Sequence, residues 1–197
     1  METFLNDVWM LSFHDPNDDN WTHASYVNLH TISTAEDLAQ VQKAYAPLWE
    51  HGMFFLMREH IAPMWEDSHN VDGGCFSFKV MRPEVPERWY RLCAAILGET
   101  LVRDVEDQRE GGRHIGGPET ARDAIWDMVN GISISPKRNY CIVRIWIRKG
   151  EFGRQGLYDL HVPIYTEILF KPHVQQRDFV HAPEGDGARA GAIEAAA

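Results

Sequence analysis

The sequence predicts an α+β fold, a mostly antiparallel sheet with helices on one face and the other face left open. Three observations predict it. Segments of period-two alternation fall in two groups, one before residue 82 and one from 131 to 147. Amphipathic stretches of helical period interrupt them. At 197 residues and 44% hydrophobic composition, the chain is long enough for one well-cored domain and too short for two.

The elements follow in order. FLNDVWMLSF (4–13) reads as a strand closed by the polar cluster HDPNDDN, and YVNLHTI (26–32) reads as the next. STAEDLAQVQKAY (33–45) starts a helix with a capping box between Ser33 and Glu36, and Leu38, Val41 and Tyr45 line one face. MFFLM (53–57) and CFSFKVM (75–81) are strands, the second setting Phe76, Phe78 and Val80 against Cys75, Ser77 and Lys79. Pro86 opens a helix through ERWYRLCAAIL that Gly98 stops, with Trp89, Leu92, Cys93 and Ile96 on one stripe. LVRDVEDQREGGRHIGGPETAR is charged, glycine-rich and aperiodic, and is predicted as a long loop insertion at about 102–122. GISIS (131–135) and NYCIVRIWI (139–147) make a hairpin around Pro136-Lys137-Arg138. Leu157, Leu160, His161, Ile164 and Ile168 mark a third helical face, kinked by Pro163. The domain is predicted over 1–180, and 181–197, small and repetitive, as a disordered tail.

Charge and cysteine usage exclude several functions. A formal charge of -10 argues against general nucleic-acid binding, which needs many Lys and Arg contacts to phosphate. Cys75, Cys93 and Cys141 form no CxxC pair, so neither a disulfide framework nor a zinc ribbon is expected. No stretch approaches the roughly 20 apolar residues of a membrane span, and the N-terminus lacks the pattern of a secretory signal. A soluble, cytoplasmic protein is the expectation, with no membrane partner and no cofactor.

The aromatic residues carry the functional reading. Trp9, Trp49, Trp89 and Trp126 sit among apolar neighbours and are read as core. Trp21 lies in DPNDDNWTH and Trp65 in PMWED, polar loops where two indoles can clasp a flat ring. Glu66, next to Trp65, can accept both N1–H and N2–H of a guanine in a bidentate pair. Methylation at N7 makes the base cationic, which adds a cation–π contribution to stacking and charge to the Glu66 hydrogen bonds. Lys137, Arg138 and Arg144 are placed to supply counter-charge for phosphates.

IAPMWED, then DGG and a strand, then ERWYRLCAAILGET, then NGISIS leading to IVRIW, resembles the eukaryotic translation initiation factor four-E family over about residues 5 to 180. The resemblance implies a curved antiparallel sheet with three helices on its convex face and the mRNA 5′ cap bound on the concave face. It gives Trp65 a stacking role and Glu66 the guanine edge. Trp146 matches the tryptophan near the methyl group, and Lys137 matches a phosphate-binding arginine. The first stacking aromatic falls between the first two strands, where Trp21 is assigned; counting back from TISTAED lands nearer Ser25 and Tyr26, so Tyr26 is the runner-up. The partners implied are capped mRNA and, on the helical face, a scaffold factor of the four-G type or a competing peptide.

The chain also departs from that pattern. The family's second phosphate-binding lysine aligns with Ile142, and a basic residue beside the glycine pair is Cys75. On the partner face, around Leu38, the usual tryptophan aligns with Ala39 and a glutamate with Arg91, which removes an aromatic anchor and reverses a charge. A translational repressor or interaction module of the same fold is therefore the alternative. Catalysis through Cys75 with Glu66, Asp67 and His69 is disfavoured because thiol activation needs contacts that this spacing does not supply. His51, His60 and His69 match no common zinc spacing, so no metal is expected. Lys79 and Arg148 are read as plain solvated charges.

Overall fold

The computed structural model describes residues 2–101, 127–150 and 166–173. Seven strands form one sheet: β1 Phe4–His14, β2 Val27–Thr34, β3 Met53–Arg58, β4 Gly74–Met81, β5 Val129–Pro136, β6 Tyr140–Ile147 and β7 Leu169–Pro172. Their order is β2-β1-β3-β5-β6-β4-β7, and every pairing is antiparallel. Register shifts in the β1–β2 and β5–β6 pairs insert bulges, which add twist and bend the sheet.

Alternation divides the two faces as the sequence implies. Leu11, Phe54, Leu56, Phe76, Phe78, Ile132, Ile134, Val143 and Ile145 point to one side, where α1 (Ala35–Tyr45) and α2 (Val85–Leu97) cover them. Leu38 and Val41 of α1 and Trp89, Leu92, Cys93 and Ile96 of α2 complete that core, as their spacing predicts. Trp9, Trp49 and Trp89 are buried there. The opposite face carries Phe55, Met57, Cys75 and Trp146 in a smaller cluster, and it is not covered by a described helix.

The cap of α1 is shifted by one residue from the expected box. Thr34, not Ser33, is the N-cap: its hydroxyl accepts from Asp37 N–H at 3.1 Å, and Asp37 accepts from Thr34 N–H at 2.9 Å. Glu36 instead turns outward to accept from Thr3 N–H at 2.9 Å. Sequence rules slightly favour the Ser33–Glu36 box, but Thr34 with Asp37 offers the same pair of groups one residue on, and the folded chain selects it. The helix at 85–97 starts as predicted, with Pro in its first turn, and the Gly98 N–H closes it on the Ala94 carbonyl.

Strand β7 was not expected. Leu169–Pro172 adds to the free edge of β4, and Ile168, predicted on a helical face, leads into it and packs against the core. A four-residue strand ending in proline offers too short an alternation to read. Leu157, Leu160, His161 and Ile164, the insertion at 102–122, Trp126 and the tail at 181–197 lie outside the described residues. No helix among the described residues is long and apolar enough to cross a membrane.

Candidate functional site

A cavity of about 800 Å³ opens on the face away from the helices, within the range of roughly 300–1,000 Å³ that small-molecule sites occupy. Its walls come from both ends of the chain: Trp21 and Tyr26 before β2, Trp65 and Glu66 in the β3–β4 loop, Trp146 on β6 and His173 after β7. The expected trio of Trp21, Trp65 and Glu66 therefore faces one space, and the runner-up Tyr26 faces it too. The order of residues in the chain shows none of this proximity.

The β3–β4 loop is where the sequence sets a tryptophan before two carboxylates, and the structure gives those acids different tasks. Asp67 turns inward and accepts from Ala62 N–H at 3.0 Å, His69 N–H at 2.8 Å and His69 Nδ1 at 3.0 Å. Burial pushes its carboxyl up, but the hydrogen bonds from His69 and Ala62 outweigh that and hold it below the usual carboxylate value. Glu66 stays exposed on the cavity wall. Gly73, which ends this loop, cannot carry a side chain, since a Cβ there would collide with the Ile147 carbonyl oxygen.

Below the loop sits a buried polar cluster that the sequence did not reveal. Asn70 donates to the carbonyls of Ala62 at 2.9 Å and Met64 at 2.7 Å, bracketing the residues just before Trp65. Asn130 of β5 donates to His69 O at 2.7 Å and Asn70 Oδ1 at 2.9 Å. His173 Nδ1 donates to Asn70 O at 2.6 Å, so its Nε2 is the acceptor left for the Cys75 thiol, 3.2 Å away. Burial depresses the His173 pKa and pushes Cys75 up to about 12, which keeps the pair neutral. The imagined contact of Cys75 with His69 does not form; the thiol meets His173 and is a protonated, buried group, unsuited to nucleophilic attack. Among the described residues no group of three or more His, Cys, Asp or Glu is arranged to hold a metal ion. His60 and His69 meet edge-on at 5.2 Å.

Aromatic rings pave the floor. Tyr26 stands edge-on to Phe55 at 5.3 Å, Phe55 to Trp146 at 6.4 Å, and Trp146 lies 5.3 Å from His173. Trp146 donates its indole N–H to Ser133 Oγ at 2.9 Å, so toward the cavity it presents only a ring surface. Trp21, 49% exposed, stacks on buried His14 with 4.0 Å between centroids and 6° between planes. His14 in turn lies 2.9 Å and 3.3 Å from the carbonyls of Asp15 and Asn20, tying both ends of the polar turn. Burial, and then the charge of Glu66, raise the Tyr26 hydroxyl to about 12, so it remains protonated.

The predicted cations separate. Arg144 rises from the cavity floor with Nη1 3.3 Å from Ser135 Oγ. Lys137 and Arg138 occupy the exposed β5–β6 turn and are not part of the cavity wall. Lys79, read as a bystander, does line it, as does Lys171. On the helical side Leu38 is buried in the core, whereas Ala39 and Arg91 are exposed, Arg91 pairing with Glu87 at 2.8 Å.

A sequence model described as eukaryotic initiation factor 4E matches residues 4–179. The chain belongs to that family. Similar relatives are the eukaryotic translation initiation factor 4E of Eremothecium gossypii, 26% identical over 77% of this chain and 67% of its own length, and that of Candida glabrata, 33% identical over 55% and 54%. The chain thus spans between half and two thirds of those relatives. In fold it is similar to C. elegans eIF4E-3 in complex with the 4E-binding protein Mextli and a cap analog, at a TM-score of 0.68 with 19% identity, covering 90% of this chain and 96% of that one. It is similar also to Ascaris suum eIF4E-3 in complex with an m2,2,7G cap, at 0.64 with 20% identity, covering 88% and 92%. The expected family and its sheet-and-helix fold are thus correct for this chain, and in this 4E-family site Glu66 and Trp65 share a cavity with Trp21 and Tyr26.

Proposed function

We propose that this 4E-family protein binds the 7-methylguanosine cap of mRNA and acts in translation initiation. The observation that carries the reading is that Trp65 and Glu66 open on the same cavity as Trp21 and Tyr26, which stand on a different loop. The methylated base stacks between Trp65 and one of those two rings, Trp21 being the first assignment, while Glu66 accepts from its edge and Trp146 faces the methyl group. Each stack contributes about 1–3 kcal/mol and the charged hydrogen bonds roughly 1.5–3 kcal/mol. Arg144 supplies counter-charge to the phosphates from the floor, whereas Lys137 and Arg138, which the resemblance offers for that role, stand in the exposed turn outside the cavity wall. No bond is made or broken in this reading.

Retention on 7-methyl-GTP resin tests it: elution by the methylated nucleotide and not by GTP is the expected result. Equal elution by GTP overturns the charge-selective grip. A second reading, repression or scaffolding with altered partners, rests on exposed Ala39 and Arg91, positions where an aromatic and an acid are expected. It predicts weak binding of a four-G-type scaffold peptide to the helical face, and nanomolar affinity by calorimetry refutes it. Both readings place the protein in the cytoplasm.

A further inference from the structure

The concave face carries a strip of positive charge that the cap reading does not yet use. Strand register builds it. Pocket-facing residues of β4 are Cys75, Ser77 and Lys79; opposite them stand Trp146, Arg144 and Ile142 of β6, while Lys171 and Leu169 of β7 lie beside Cys75 and Ser77. Arg144 is thus a diagonal neighbour of Lys79, and positions so related lie about 7–8 Å apart, within reach of long side chains. Lys171 completes the strip at the sheet edge, level with Trp146.

Three observations say that this strip awaits an anion. Among the described residues none of the three cations is paired with a carboxylate, although the chain carries ten more acidic than basic groups. Lys79 is held in place, its Nζ 5.1 Å above the Tyr140 ring. Hydroxyls interleave the charges: Ser77 and Ser135 line the same cavity and offer donors to phosphate oxygens, while Thr166 is bonded to the Lys79 backbone. Glu66 and Glu167 line the same cavity but are not paired with these cations, so the three positive charges are left for an anionic ligand.

We infer that Lys79 and Lys171, with Arg144, hold the phosphate chain of the ligand. The chain runs from the base site by Trp146 along β6 and β4 toward Lys79, across the sheet floor and not outward over the Lys137-Arg138 turn. Cys75 and Ile142 leave two expected basic positions empty of charge; Lys171 stands beside the first and Lys79 beside the second in the strand register, so the charge moves one strand over. This inference rests on the cap reading.

The full-length chain is titrated with 7-methylguanosine and its mono-, di- and triphosphates, following tryptophan fluorescence, for wild type, Lys79→Ala, Lys171→Ala, the double variant and a Lys137→Ala/Arg138→Ala control. In wild type affinity rises with each phosphate. Each lysine variant weakens triphosphate binding about fivefold, the size of an exposed charge pair, and the double variant about 25-fold, the product for independent sites. Affinity for the uncharged-tail nucleoside stays at the wild-type value. Unchanged triphosphate affinity in the double variant, with wild type binding the series, overturns this inference alone, as does a loss confined to the turn control. An equal loss for nucleoside and triphosphate overturns it too, because the lysines then shape the pocket generally. Wild-type failure to bind any methylated compound removes the cap reading and this inference with it.

Discussion

Glu66 and Asp67 are adjacent carboxylates whose surroundings give them opposite consequences. Glu66→Gln removes the charge that faces the cavity and leaves the loop's hydrogen bonds intact. It should weaken 7-methyl-GTP binding by at least tenfold, the scale of one charged hydrogen bond, with the melting temperature unchanged; a matching fall in melting temperature would make Glu66 structural. Asp67→Ala removes the acceptor of three loop donors and should lower the melting temperature as well as binding. Because the folded Asp67 pKa lies below its unfolded value, its contribution is present above the unfolded pKa of 3.8 and is lost as pH falls through the folded one. His173 titrates in a higher window. Its folded pKa is depressed from 6.5, so below that pH the unfolded chain takes the proton first, and stability falls until the folded ring is protonated too. Thermal melts from pH 7 to 5 should show that slope in wild type and a shallower one in His173→Gln.

At the scale of the element, amphipathic period was readable and cap register was not. The stripes on α1 and α2 and the alternation of β4 and β6 follow from side-chain direction alone, and the structure buries the residues those periods select. Asp37 shows what period leaves open. Hydrogen bonds from Ser33 N–H, and then from Thr34, hold its carboxyl below the usual value against burial, so it does more than Glu36 at the helix start. Asp37→Ala should cost about 1–2 kcal/mol, which is roughly 2–8 °C of melting temperature for a chain of this size. Glu36→Ala, which loses only the tie to Thr3, should cost less, and the reverse order in thermal melts would return the box to Ser33.

Across the whole molecule the site is assembled by residues far apart in the chain. Asn70, Asn130 and His173 meet beneath the loop that carries Trp65 and Glu66, joining it to β5 and to the end of β7. Asn130→Ala strands the buried acceptor Asn70 Oδ1 and the part-buried His69 O and should cost about 1–3 kcal/mol while also weakening cap binding. Binding lost with no change in stability would show instead that Asn130 touches the ligand. Arg58 ties the same region to β1, donating to Val129 O at 2.9 Å and pairing with Asp7.

The sequence by itself determined the family, the α+β class and the faces of both described helices, and it singled out Trp65 and Glu66, which line the cavity, because each depends on local period or on a contiguous motif. Tertiary structure alone decided which charges line the cavity and what supports the loop. Lys79 and Lys137 look equally solvated in sequence, yet strand register turns one into the cavity and leaves the other in a turn. His14, Asn70, Asn130 and His173 carry no pattern of their own, since a buried hydrogen bond depends on partners that only the folded chain brings together.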